Sequence, residues 1–363
     1  MKPKRREGSI SGDSMKVLVT GGAGLVGSYC CEYYLNKGHQ VVSVDNFMRG
    51  KLFGEMGDTK SNADLMLQKF KEKIQFHNID IRDAEKIKPL IMDADLIVHT
   101  AAQPSHPKSI EVPLEDFQIN AFGTLQLLEL TRRFNDDAVF INCSTNKVYG
   151  ENPNTIPAII EKETRYDYAD RDGIDEALPL DNTLHTPFGV SKTTADLYGQ
   201  EYGRLYGLKV GTFRMGCITG PYAKAVELHN WEPFFMWANM QGKNLNIYGF
   251  KGKQVRDVID ARDLVIAFGR FAENPRPGEA YNMGGGRKNS ISLLESFALI
   301  ESITGKPMKW EMKPKREGDH QVYITNLSKF KSHYPGWDIQ INLRQIFTDI
   351  YNWLSKHPLA TAK

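Results

Sequence analysis

Residues 15–27 read Met-Lys-Val-Leu-Val-Thr-Gly-Gly-Ala-Gly-Leu-Val-Gly, and the fold class turns on them. The apolar run Val17-Leu18-Val19 has the character of a buried strand in a parallel sheet. It breaks at Thr20 into a turn whose glycines Gly21, Gly24 and Gly27 stand three apart. That spacing lets the backbone turn tightly, approach a pyrophosphate closely and pack the next helix against the strand. The stretch Ser28 to Lys37 predicts that helix. Its free N–H groups and positive dipole end, with Leu25 and Val26 at the mouth, face phosphates. A second apolar strand, Gln40 to Val44, ends at Asp45. An acid about 20 residues beyond such a turn accepts hydrogen bonds from a ribose 2′-hydroxyl and repels a 2′-phosphate. NAD is therefore expected over NADP.

The rest of the chain sets bounds around this motif. Its 363 residues suffice for two domains or one large one. A hydrophobic content of 41% and charged content of 25% suit a water-exposed globular protein. The formal net charge of +2 gives no reason to expect a nucleic-acid partner. No apolar run reaches the roughly 20 residues a membrane helix needs, so no membrane partner is expected. Cys30, Cys31, Cys143 and Cys217 show no metal-ligand spacing, and a reduced cytoplasm is the expected setting. Residues 1–14 are basic, lack an apolar core segment and precede Met15; they are read as a disordered extension.

Strand-like and helix-like segments alternate through the first half. Ile74 to Phe76, Ala94 to His99 and Ala138 to Ile141 read as strands. Ala84 to Leu90 and Asp116 to Phe134 read as helices, the latter long and unbroken. The alternation predicts an α/β protein: a Rossmann-type, doubly wound parallel sheet, with NAD bound by residues 15–212. Residues 151–186 are polar, rich in Pro, Asp and Glu, and too long for a simple connection. A helix from Phe188 to Tyr206 and a strand from Val210 to Phe213 follow. Residues 213–360 are read as a smaller α/β substrate-binding lobe with segments returning to the first domain. The cleft between the two lies at the carboxyl ends of the strands.

Taken together, these residues resemble an extended short-chain dehydrogenase/reductase of the NAD-dependent nucleotide-sugar epimerase/dehydratase group. The likeness rests on Thr20 to Gly27, Asp80-Ile81, His99-Thr100-Ala101-Ala102, Asn120 in Asn-Ala-Phe-Gly-Thr, Ser144 to Gly150 and the segment Gln254 to Asp260 carrying Arg256. It spans about Met15 to Leu354. Within the group the run Ser-Thr-Asn-Lys-Val-Tyr-Gly at 144–150, supported by Arg165-Tyr166, is most similar to enzymes that invert C2 of a CDP-sugar. The resemblance implies NAD held by Gly21, Gly24, Leu25, Val26, Gly27, Asp45, Asn46, Arg49, Asp80, Ile81, Thr100, Ala101, Ala102, Gln103, Asn120 and Lys192. It implies a nucleotide-sugar substrate touched by His106, Thr145, Cys217, Glu227, Trp231 and Arg256. It also implies a homodimer built on the 116–134 and 188–206 helices.

One departure falls at the chemistry. The family pattern is Tyr-x-x-x-Lys, and this chain has Phe188-Gly189-Val190-Ser191-Lys192. The four-residue spacing keeps Phe188 and Lys192 on one helix face. A phenyl ring carries no proton, and general-base catalysis is worth about 10²–10⁴ in rate. Three readings stay open. Tyr149, Tyr166, His106 or Lys147 moves the proton instead; the protein binds NAD and a sugar nucleotide with little or no turnover; or Phe188 is an introduced inactivating change. Asn146 and Lys147 stand where dehydratases of this group carry an acid pair, so elimination of water by that route is not expected. Thr145 is either a substrate contact or a strand-end cap. Arg256 holds a diphosphate or pairs with Asp257 or Asp260. Trp231 stacks on a base or fills the lobe core.

Overall fold

The computed structural model describes residues 14–227 and 230–357. The expected extension at 1–14 lies, but for Ser14, outside the described residues. Seven parallel strands form the main sheet: β1 (Lys16–Thr20), β2 (Gln40–Val44), β3 (Ile74–His77), β4 (Leu96–His99), β5 (Val139–Thr145), β6 (Lys209–Met215) and β7 (Glu279–Met283). Their order is β7-β6-β5-β4-β1-β2-β3. The chain runs outward from β1 in both directions, so the strand order reverses between β1 and β4. In doubly wound sheets the crevice at that point takes the ligand. The sheet is apolar on both faces because helices cover both. Helices Leu25–Asn36 and Ala261–Glu273 pack over one, where Phe213 meets Phe268 and Phe271 edge to face at 4.8 and 5.6 Å. Leu18, Ile97, Phe140 and Val210 fill the other. Each fully buried phenylalanine contributes about 1.5–3 kcal/mol.

A smaller lobe follows β6. Helices Trp231–Met240, Leu293–Thr304 and Leu343–Lys356 share an apolar core around Phe235, Phe297, Ile300 and Phe347. Glu279–Met283 returns from it to the main sheet as β7, paired with β6. The strand Val255–Asp260 joins the two parts, pairing parallel with Cys217–Thr219 and antiparallel with Ser290–Ser292. The polar stretch 151–186 is ordered: it folds an antiparallel pair, Ile159–Glu161 with Tyr166–Tyr168, and is stitched to the smaller lobe by Ile174 N–H to Ile324 carbonyl at 2.7 Å.

The helix expected from Asp116 to Phe134 is not continuous. It starts as Pro113–Phe117, widens into a π-helical turn at Gln118–Phe122 and resumes as Gly123–Phe134. The turn carries Asn120, whose carbonyl accepts from Thr124 Oγ1 at 2.6 Å. Such bulges spend one backbone bond to redirect a side chain, often at functional sites.

Candidate active site

The carboxyl ends of β1, β2, β4 and β5 open into a cavity of about 430 Å³ shared with the smaller lobe. Its floor is the glycine turn. Gly21 has φ +72°, and a Cβ there would stand 2.7 Å from Ala101 N. A Cβ on Gly27 would strike the Gly21 carbonyl at 2.2 Å. Gly21 therefore permits the turn and Gly27 the helix-to-strand packing; Gly27 itself stands behind the cavity wall. Asp45 closes the turn from β2: its Oδ2 accepts from Ala23 N at 3.0 Å and its Oδ1 from Phe47 N at 2.8 Å. Burial raises its pKa, and these backbone donors oppose the rise. Beside it, Asp80 accepts from Arg82 and from Asn46 Nδ2, and the Arg82 guanidinium brings its carboxyl down to about 2. Leu25, Val26, Asn46, Arg49, Asp80, Ile81, Thr100, Ala101 and Ala102 all line the same wall.

Gln103 and Asn120 do not reach the cavity. They bond each other instead, Gln103 N to Asn120 Oδ1 at 2.9 Å and Asn120 Nδ2 to the Gln103 carbonyl at 3.1 Å. The π-turn aims Asn120 at this loop, so both residues brace the wall rather than form it.

The opposite wall comes from β5, the turn after it and the helix Pro187–Tyr206. Thr145 does two things: its Oγ1 accepts from Lys147 N at 3.3 Å, capping the turn Asn146–Tyr149, and it faces the cavity. Phe188 and Lys192 face it together, as one helix turn requires. Lys192 Nζ donates to the Cys143 carbonyl at 2.6 Å, and burial lowers its pKa. Lys147 Nζ donates to the Gly318 carbonyl at 2.6 Å. Burial lowers its pKa to about 8, helped by Arg256 and opposed by Asp319.

Two of the candidate proton carriers are removed by the fold. Tyr149 is fully buried outside the cavity, donating to Asn282 Oδ1 at 2.7 Å and accepting from Arg214 at 3.0 Å. Burial pushes its pKa up to about 12. Tyr166 points to Glu161 in the antiparallel pair and packs behind the wall. A tyrosine in a Val-Tyr-Gly run is locally indistinguishable from one facing a cleft; the Arg214–Asp196 pair that claims Tyr149 lies far away in sequence. His106 does line the cavity, with Nε2 3.3 Å from Asp319 Oδ1, but burial and then Lys147 push its pKa down to about 4. It stays neutral at pH 7.

The smaller lobe supplies Cys217, Glu227, Trp231 and Arg256. Neither acid near Arg256 in sequence pairs with it. Asp257 Oδ2 accepts from Gly286 N and Thr325 N, and Asp260 holds Arg262. Glu227 accepts from Tyr248 Oη at 3.1 Å. Trp231 lines the cavity and also packs on Phe235 at 5.3 Å. Sequence reasoning missed Arg316, Asp319, Lys224 and Glu232, which line the cavity too. Arg316 and Asp319 come from a loop far from any recognised motif, and Lys224 and Glu232 flank the named Glu227 and Trp231 without a signal of their own.

A model of the family described as "NAD dependent epimerase/dehydratase family" matches residues 17–284. The chain belongs to that family. It is 33% identical to the CDP-paratose 2-epimerase of Salmonella typhi over 351 residues, covering 94% of this chain and 99% of the relative. Its structure is similar to that of the UDP-glucose 4-epimerase of Thermotoga maritima with UDP-glucose: TM-score 0.74, 25% identity, 94% of this chain and 99% of that one. It is similar as well to dTDP-glucose 4,6-dehydratase from Bacillus anthracis str. Ames in complex with NAD: TM-score 0.74, 26% identity, 94% and 97%. NAD is thus the cofactor of this epimerase/dehydratase fold, and the glycine cradle that a Cβ would fill at Gly21 fits it. No described helix is long and apolar enough to cross a membrane.

Proposed function

We propose that this chain is an NAD-dependent epimerase of a nucleotide sugar, that its substrate is a CDP-sugar inverted at C2, and that Lys147 moves the proton that a tyrosine moves elsewhere in the family. One observation carries the proposal: an ammonium whose pKa burial lowers to about 8 shares a cavity with Thr145, Phe188 and Lys192. NAD, when bound, accepts a hydride from a carbinol carbon and returns it, so no net redox change is needed. The glycine turn and Asp45 would hold its adenosine half, and Lys192 its nicotinamide ribose. Thr145 Oγ1 would orient the reacting oxygen while neutral Lys147 takes the hydroxyl proton and later gives it back. Arg256, which forms no ion pair among the described residues although Asp319 stands in the same cavity, and Arg316, which meets Asp319 at 3.1 Å, would grip the diphosphate.

The likeness to the CDP-paratose epimerase supports the CDP-sugar. Asn146 and Lys147 disfavour dehydration, since an amide and an ammonium do not replace two carboxyl groups. Phe188 favours a second reading, an NAD- and nucleotide-sugar-binding protein without turnover. Assembly as a homodimer is part of the proposal, because Leu114 at 79% and Leu205 at 62% exposure continue an apolar stripe with Phe117, Val190 and Leu197 on the two paired helices. A cytoplasmic location accords with the free thiols. The test is incubation of the protein with CDP-, UDP-, GDP- and dTDP-sugars, read by NMR. A new C2 epimer from a CDP-sugar alone is expected; inversion of another sugar nucleotide overturns the substrate, and no inversion with NAD and nucleotide bound favours the second reading.

A further inference from the structure

Glu232 is an acid where an acid is costly. It is the second residue of the helix Trp231–Met240, 1% exposed, and it lines the cavity beside Trp231 and Cys217. Its Oε1 is buried with no hydrogen-bond partner among the described residues. Burial pushes the carboxyl up to about 8, and no cation counters that rise. An uncompensated buried acid costs stability, and such groups collect at functional sites.

The remaining walls already have their chemistry. Thr145, Lys147, Phe188 and Lys192 surround the reacting end, and Arg256 and Arg316 carry the charge for phosphates. The charges of Glu232 and Arg256 both reach Cys217, and those of Cys217 and Arg256 both reach Lys147. Glu232 therefore shares with Arg256 the part of the cavity around Cys217. The half-buried Trp231 beside it gives an aromatic surface. A flat surface next to an unsatisfied acceptor suits a base that stacks on one group and offers an N–H to the other.

We propose that Glu232 reads the base of the sugar nucleotide, its Oε1 accepting an N–H from the exocyclic amino group of cytosine, so that cytosine is selected over uracil. Uracil carries a carbonyl oxygen at that position, which sets lone pair against lone pair when the carboxyl is ionised. The inference rests on the reading that the cavity takes a nucleotide sugar.

The test titrates CDP and UDP separately into the NAD-loaded protein by calorimetry at pH 8.5, where the Glu232 carboxyl is mostly ionised, for wild type, Glu232→Gln and Glu232→Leu. NAD content and melting temperature verify that each variant is folded. Wild type is expected to prefer CDP by about tenfold or more, the scale of a hydrogen bond to a charged group. Glu232→Leu is expected to lose that preference by weakening CDP, with UDP changed less than about threefold. Glu232→Gln, whose amide both accepts and donates, falls between. Equal affinities in wild type, or an unchanged CDP-to-UDP ratio in Glu232→Leu, overturn the inference. Binding of neither nucleotide is a separate result that overturns the nucleotide-sugar reading beneath it.

Discussion

Replacing Lys147 tests the proton carrier. An ordinary lysine has a pKa of 10.5, and burial lowers this one to about 8. At pH 7 the neutral, proton-accepting amine is then about 9% of the population, against about 0.03% for an unperturbed lysine. Burial thus enlarges the working base by roughly 300-fold, within the range of about 10²–10⁴ that base catalysis supplies. Only the neutral amine accepts a proton, so kcat rises with pH, reaches half its plateau near pH 8 and is lost as pH falls below that. The assay follows initial rates of epimerisation between pH 6 and 9 for wild type, Lys147→Met, Lys147→Arg and Tyr149→Phe. Lys147→Met is expected to lower kcat by about 10²–10⁴ with a smaller change in KM. Lys147→Arg should fare no better, since a guanidinium does not deprotonate. Tyr149→Phe should keep the wild-type pH profile, because that hydroxyl is engaged with Asn282 and Arg214 behind the wall. Turnover of Lys147→Met close to wild type, or a Lys147 variant that keeps the limb near pH 8, refutes the reasoning.

Other residues give independent outcomes. Asp45→Ala removes an acceptor that also holds Ala23 and Phe47, and NAD affinity should fall by about 10- to 100-fold in calorimetry. Leu205→Glu sets a charge on the exposed apolar stripe and should give a monomer by light scattering at micromolar concentration while the wild type is a dimer. Arg214→Met strands the buried Asp196, which Arg214 meets at 2.9 and 3.0 Å; urea unfolding should show a loss of about 3–5 kcal/mol.

The glycine turn, β1, β2 and Asp45 were legible because their signals are local: an apolar run, a fixed glycine spacing, an acid at a strand end. The break at Asn120 was not, since Asp116 to Phe134 has the right period throughout and only the contact with Gln103 shows why a π-turn sits there. Lys147 could be proposed from its place in the motif, but its lowered pKa depends on burial beneath Gly318, 171 residues away. Arg316, Asp319 and Glu232 carried no local signal. A charged residue in a loop or at a helix start looks like any solvated one until the fold brings it to a cavity.

Phe188 provides the most direct test of the claim that proton transfer has moved to Lys147. The measurement is kcat on a CDP-sugar for wild type and Phe188→Tyr side by side, with bound NAD quantified in both. Robust turnover by wild type, changed by less than about tenfold or reduced in Phe188→Tyr, is the predicted result. An inert wild type that gains activity by orders of magnitude in Phe188→Tyr would contradict it.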